Sequence, residues 1–515
     1  MSRVSRVSAL SRGEPGVSLP APSAQPDLLR RLRTDLEHAA YRVDAVRDLL
    51  GPVAAGAMDR EQHLPADLAT AGDPAPLAVL VRLFALGRPV PVEHAAAALP
   101  ALGPAGLLAL GLARGDPLVA TCDQRPYGDE RHEWWVASDL AEAATGRPVD
   151  RDHVLGVGAA SATLAAWTPR PVVARALDVG VGCGVQALHL STHAAAVVGT
   201  DRSARALAFA RFTALLNGVE VDLRAGDLLD PAGPDEYGLV VSNPPFVITP
   251  RRADVAVYEY RDGGLPGDAL VERLVRGVGR RLAPGGIAQL LGNWEVRAGA
   301  DWRDRLRAWL DGSGLDAWVV QRDLSDPAQY AELWARDGGH QAGSDEHDRL
   351  YAAWLADFAA RGVAAVGFGV VTLQRPVDQR PPWQDLAEVS GPVGEAMGVA
   401  VLRGVRARTW LAQEGAAGLL RTAWRCADDV TEERHYRPGQ EHPAVIVLRQ
   451  GTGLRRLVQV DTVAAALVGA CDGSLAAGQA LDAIADLLDQ DRAATRAQAL
   501  PTLHGLVADG LLRPG

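Results

Sequence analysis

The sequence predicts an α/β protein: a doubly wound parallel sheet of seven strands, preceded by a helical domain and followed by a small α+β domain. Three observations predict it. From Pro171 to about Arg375, short apolar runs alternate with helical stretches, as crossover helices between parallel strands require. A glycine-rich turn follows the first of these runs. The sequence changes character on either side, at the end of a helix-dominated stretch and again beyond Pro381 and Pro382. The expected boundaries are a disordered tail over 1–26, a helical domain over 27–150, the sheet domain over 151–378 and the α+β domain over 379–515.

The opening residues to Gly16 carry Arg3, Arg6 and Arg12 among serines and lack the apolar stretch of a secretory signal, which reads as a disordered tail. After Pro20, Pro22 and Pro26, Leu29, Leu32, Leu36, Ala40, Val43 and Leu50 repeat near the helical period, so one amphipathic helix is expected over Leu28–Leu50. Short helices follow at Leu77–Leu86, Val92–Leu99 and Pro104–Ala113. Two strand-like pieces, Leu118–Cys122 and Glu133–Ala137, flank a turn at Pro126–Asp129; helix, helix, helix, strand, wing, strand resembles a winged helix. Trp134 and Trp135 are expected to pack inside this domain.

The seven strands are read at Ala176–Val179, Ala195–Thr200, Val219–Ala225, Gly238–Ser242, Ile287–Gly292, Ala317–Arg322 and Val366–Gln374. The polar stretch Asp323–Ser344 reads as a loop ahead of a helix at Asp345–Arg361. In the last domain, strands at Ala444–Arg449 and Arg456–Val460 precede helices at Thr462–Ala470, Ser474–Leu488 and Ala493–Leu512, ending in a pattern that resembles helix-turn-helix packing.

Composition narrows the function. Fifty-two basic against 63 acidic residues leave a net charge of −11, and no lysine occurs, which argues against a broad phosphate-gripping surface. The longest clean apolar stretch, Val363–Leu373, falls short of the roughly 18 residues of a membrane span, so no membrane association is expected. Cys122, Cys183, Cys426 and Cys471 form no CxxC pair, which disfavours a disulfide framework or zinc ribbon and fits a cytoplasmic protein. His189 and His193 have metal-ligand spacing, but no third ligand accompanies them and packing is the better reading.

The chemistry begins at Leu177-Asp178-Val179-Gly180-Val181-Gly182-Cys183-Gly184, between a strand and a helix, where glycines let backbone approach a ligand closely. Cys183 reads as a small loop residue and not as a nucleophile. Asp201 ends the next strand, where a carboxylate accepts hydrogen bonds from a ribose diol, and Asp227 follows the third strand, where an adenine amino group would sit. Asp178 to Asp227 resemble the class I S-adenosylmethionine-dependent methyltransferases, whose first loop reads acid-x-Gly-x-Gly-x-Gly. An acid ahead of the glycines repels a pyrophosphate and suits the cationic end of S-adenosyl-L-methionine. The resemblance implies a Rossmann-like sheet, with Asp178, Gly180, Gly182, Gly184, Asp201, Asp227 and Asn243 at the cofactor.

At the end of the fourth strand, Asn243-Pro244-Pro245-Phe246 must stop the ladder and present a stiff loop at the carboxyl edge of the sheet. This tetrad resembles that of the amino-group N-methyltransferases. The resemblance implies that the Asn243 side-chain oxygen and the Pro244 carbonyl accept hydrogen bonds from a planar NH2 group while Phe246 stacks on it. Two acceptors help pyramidalise a nitrogen whose lone pair is delocalised, and orientation towards the methyl donor supplies much of the rate. Asn243–Pro250, with Tyr260–Gly264 and Gly267–Leu270, looks like the release-factor glutamine methyltransferase (HemK-like) branch over residues 150 to 300. It implies a protein glutamine as acceptor. Ribosomal and transfer RNA amino-group methyltransferases share the tetrad, so an RNA base is the alternative; a catalytically idle cofactor-binding protein is the third class.

Overall fold

The computed structural model describes residues 19–252, 255, 258–337, 343–394 and 396–515. Its chain divides into two compact units, one of residues 1–156, 208–218 and 256–260, the other of 157–207, 219–255 and 261–515.

In the first unit the expected tail is ordered from residue 19; residues 1–18 lie outside the described residues. The Ser23 N–H donates to the Leu110 carbonyl at 2.8 Å, and the Gln25 side chain to that of Ala109 at 3.2 Å. The single helix expected over Leu28–Leu50 is two, Pro26–His38 and Val43–Met58, broken where Ala40 takes a φ of 50°. The break buries Tyr41 completely, with its hydroxyl donating to the Gln124 carbonyl and its own carbonyl accepting from Trp135 Nε1. Trp134 and Trp135 are both buried. Three helical segments within Pro76–Ala85, Val92–Ala98 and Gly103–Leu110 precede a hairpin of Asp123–Gly128 with Glu133–Ser138. The expected turn therefore lies inside a strand: Pro126 is tolerated in a two-stranded ladder, and the chain reverses at Asp129, whose carboxylate accepts from the Arg131 and His132 N–H groups. The expected strand at Leu118–Cys122 shrinks to Val119–Ala120, paired with Ala113–Arg114.

The second unit is built on an eight-stranded sheet of β1 (Val173–Val179), β2 (Ala194–Asp201), β3 (Asp222–Ala225), β4 (Tyr237–Ser242), β5 (Leu282–Arg297), β6 (Asp316–Ser325), β7 (Val363–Gln374) and β8 (Gln384–Glu388). Its order is β8-β6-β7-β5-β4-β1-β2-β3, with β7 antiparallel to both neighbours and every other pairing parallel. The order reverses at β1, the switch point where open α/β sheets bind ligands at their carboxyl ends. The core against the sheet joins Leu177, Val179, Val240 and Leu290 to Trp294, Trp302 and Trp309.

Two expectations fail around the sheet. Strand β8 lies beyond the expected limit of the sheet domain at 378; Arg380 and the Trp383 N–H both bond Asp316, at 2.7 and 3.0 Å, and deliver it to the edge. The polar stretch read as a loop contains the helix Pro327–Asp337, whose first turn is capped by Asp326, accepting from the Ala328 and Gln329 N–H groups. Residues 338–342 of that stretch lie outside the described residues.

The C-terminal part of this unit begins with the helix Met397–Arg421 and packs around Leu411, Trp424, Leu448, Leu467, Leu481 and Leu503. The helix Thr462–Ala470 stands where the sequence puts it. The last helix, Arg492–Ala508, stops short of Leu512, because Gly510 at φ 78° turns the chain and Leu512–Pro514 pairs with Ala423–Cys426 as a strand.

Candidate active site

Strand β1 ends at Val179 and β4 at Ser242, paired in register, with the Ser242 hydroxyl donating to the Val179 carbonyl at 2.7 Å. The glycine loop and the Asn243 loop therefore leave the sheet side by side. Gly180, Gly182 and Gly184 take φ of 76°, 53° and 91°. A Cβ at Gly180 would meet nothing within 4 Å, so the backbone conformation, and not crowding, demands glycine there. The Gly180 and Val181 N–H groups donate to the Thr200 carbonyl, tying the loop to the end of β2.

Asp201 takes part in the same tie. Its carboxylate accepts from the Gly182 N–H at 3.0 Å and the Ser203 N–H at 2.9 Å, leaving further lone pairs for a diol. Burial raises its pKa above the usual carboxylate range, against the pull of these N–H groups. Asp178 is 1% exposed, and neither carboxylate oxygen has a hydrogen-bond partner. Burial first and the Asp201 charge second push its pKa up to about 8; the Ala187 N–H pulls weakly down without a bond of normal geometry. Cys183 is buried, and burial pushes its thiol up to about 11, which leaves it a poor nucleophile.

Asn243 is half-buried; its amide nitrogen donates to the Ser161 hydroxyl at 3.4 Å, and its buried side-chain oxygen has no partner. Ser161 lies on α1 (Ala159–Trp167), and its carbonyl accepts from Gln186 of α2 (Val185–Ser191), so one residue links both loops. Sequence reasoning missed Ser161, which stands in no motif. Pro244 is buried. Phe246 is half-buried, tilted 49° against Phe368 of β7 at 5.5 Å between ring centres, and its backbone bridges Asp262. Part of its surface is thus already used in packing.

The loop beyond the tetrad is held from the far side by α3 (Pro327–Asp337) and α4 (Asp345–Arg361). Tyr330 Oη accepts from the Ile248 N–H at 2.9 Å, and Trp354 Nε1 donates to the Ile248 carbonyl at 2.7 Å. These braces were also missed: Tyr330 stands in a stretch that reads as a polar loop, and Trp354 in an expected helix that carries no motif. The Asp227 carboxylate is half exposed and paired with Arg273 at 2.6 Å. The two histidines pack, His189 buried beside Arg170 and His193 Nδ1 on the Pro171 carbonyl.

Residues 156–299 match the model of a methyltransferase small domain. The chain carries a methyltransferase domain. Models described as Domain of unknown function (DUF7059) and Domain of unknown function (DUF7782) match residues 38–121 and 404–514. The chain is 37% identical over 125 residues to a release factor glutamine methyltransferase of Geobacter sulfurreducens, covering 22% of this chain and 44% of that one. It is 35% identical over 170 residues to the same-named protein of Bordetella pertussis, covering 31% and 60%. It is 31% identical over 140 residues to ribosomal RNA small subunit methyltransferase C of Sodalis glossinidius, covering 27% and 36%. The chain thus spans about half the length of the two release-factor relatives. Among the described residues, no helix is long and apolar enough to cross a membrane.

Proposed function

We propose that the chain is an S-adenosylmethionine-dependent N-methyltransferase whose acceptor is the side-chain amide of a protein glutamine, of the translation-release-factor kind. One observation carries this reading: at the carboxyl end of β4, the Asn243 amide oxygen is buried without a partner, next to the strand that carries the equally unpartnered Asp178. A buried acceptor left unsatisfied is costly, and a donor brought by a ligand recovers that cost. The residues present fit the cofactor. Asp178 offers a carboxylate to its cationic amino end, Asp201 offers lone pairs to its ribose, and the positive-φ loop lets backbone lie close to it.

The bound cofactor supplies a methyl group activated by a sulfonium centre. Asn243 Oδ1 accepts an N–H of the acceptor amide, draws the nitrogen out of conjugation and turns its lone pair towards that methyl. Phe246, fixed by Phe368, closes the apolar side of the acceptor group and excludes water. The Tyr330 and Trp354 bonds to Ile248 keep the tetrad loop from drifting, and an ångström of drift is enough to lower the rate substantially. The two relatives named for release factors support a glutamine acceptor. The match to an RNA methyltransferase keeps an exocyclic amino group of RNA as the second reading.

Transfer of labelled methyl from the cofactor into a fractionated cell extract separates them. The proposal expects label in protein, recovered as methylglutamine, resistant to ribonuclease and little affected by salt. Ribonuclease-sensitive label, with acceptor binding that falls at about −0.7 per phosphate contact in log–log form, would install the RNA reading.

A further inference from the structure

We propose that the second unit holds another ligand site, for a small aromatic anion, at the opposite end of the sheet from the methyl-transfer pocket. Trp318 stands near the amino end of β6, which runs parallel to β1 and β4, whereas the glycine loop and Asn243 stand at the carboxyl ends. Four strand steps separate β6 from β1, roughly 19 Å at ~4.8 Å per strand. Between Trp318 and the C-terminal elements lies a cavity of about 370 Å³, within the range of small-molecule pockets.

Its walls are aromatic and aliphatic: Trp318, Trp410, Trp424, Leu454, Val507 and Leu512. The indoles are fixed before any ligand arrives. Trp410 and Trp424 meet edge to face at 5.2 Å and 87°, and the Arg408 guanidinium covers the Trp318 ring at 3.9 Å. α5 (Met397–Arg421) approaches that ring through Gly404, where a Cβ would come within 2.5 Å of it. Flat rings against apolar walls favour a flat apolar guest, by stacking and by area removed from water.

The charge of the guest follows from the polar groups that line the cavity. Among the described residues Asp509 is its one carboxylate, and it is neutralised by Arg408 at 3.0 Å and Arg456 at 3.2 Å. Three further guanidinium groups line it. Arg403 and Arg406 are exposed and carry no carboxylate partner among the described residues, in a chain whose net charge is −11. Arg513 is shared with Asp429 at 3.5 Å and keeps a buried Nε without a hydrogen-bond partner. Trp318 Nε1 is likewise buried without an acceptor. The cavity-lining groups within reach of a guest and left without a counter-charge, Arg403 and Arg406, are donors, so a carboxylate, sulfonate or phosphate on the guest satisfies them and a cation does not.

Naphthalene-2-sulfonate is a suitable probe, titrated into the full-length protein with tryptophan fluorescence and calorimetry. One saturable site is expected, undisturbed by saturating S-adenosylmethionine. The uncharged 2-naphthalenemethanol should bind roughly tenfold more weakly or worse, and the Arg403→Ala/Arg406→Ala double variant should weaken the sulfonate by a similar factor. Ala407→Trp should fill the cavity and abolish binding. If it fails to fold, judged by its circular dichroism melt, the double variant decides alone, since both arginines are exposed. No saturable binding, equal binding of the neutral compound, displacement by S-adenosylmethionine, or unchanged binding in the double variant would overturn the assignment.

Discussion

Asp178 and Asp316 lie on strands of one sheet, 1% and 0% exposed, yet they are treated in opposite ways. Asp316 opens β6 and is saturated: it is paired with both terminal nitrogens of Arg380 and accepts the Trp383 N–H at 3.0 Å. Asp178, near the carboxyl end of β1, has no hydrogen bond of normal geometry among the described residues. The protein itself meets the cost of burying one carboxylate and leaves the other to be met from outside. Asn243 repeats the pattern, with an amide oxygen buried and unused. Burial alone therefore does not mark a site; burial without a partner, at the carboxyl edge beside a positive-φ loop, does.

Removing one side of each arrangement breaks the comparison open. Asp316→Ala strands the Arg380 guanidinium and detaches β8, and should cost about 3–5 kcal/mol of stability, read as an earlier midpoint of urea unfolding. Asp178→Asn, which removes a buried carboxyl whose oxygens make no hydrogen bond of normal geometry, should leave that midpoint unchanged or later. Equal losses in the two variants would mean that Asp178 is structural. The next largest effect is expected at Asn243, whose oxygen meets only the acceptor: Asn243→Ala should lower kcat by about 10² while cofactor affinity stays near wild type. Full activity in that variant would be inconsistent with N-methylation by this loop.

A further consequence lies in pH. The Asp178 carboxyl sits at about 8 in the folded protein against an ordinary 3.8, so the folded state holds its proton more tightly than the unfolded state does. Its contribution to stability is complete below about pH 4 and is lost as pH rises to about 8, at up to ~1.4 kcal/mol per pH unit. Unfolding midpoints measured across that window should fall less steeply in Asp178→Asn, and parallel slopes would contradict the assignment.

Much of this site was legible because its chemistry is local. The glycines of residues 180–184 need positive φ, Asp201 ends a strand, and Asn243 with its two prolines must stop one; each demand is written within a few residues. What was not legible depends on distant partners. Gln384–Glu388 has no apolar alternation and becomes a strand only because Asp316 captures Arg380 and Trp383. Tyr330 and Trp354 stand in polar-looking helices, and their role exists only through Ile248, more than eighty residues earlier. Asp227 holds the position expected of an adenine partner, but Arg273, on a helix forty-six residues later, takes its carboxylate. Local sequence also read one helix where there are two, since the burial of Tyr41 against Gln124 and Trp135 is what bends the chain.

If the carboxyl edge of β1, β2 and β4 is built for S-adenosylmethionine, calorimetric titration of that compound and of NAD into wild type and Asp201→Ala will show it. Saturable binding of S-adenosylmethionine, tighter than NAD, is expected, with a loss of about 1.5–3 kcal/mol in the variant, where ribose hydroxyls and the Gly182 and Ser203 N–H groups lose their acceptor. Unchanged affinity in Asp201→Ala, or tighter binding of NAD by the wild type, would contradict it.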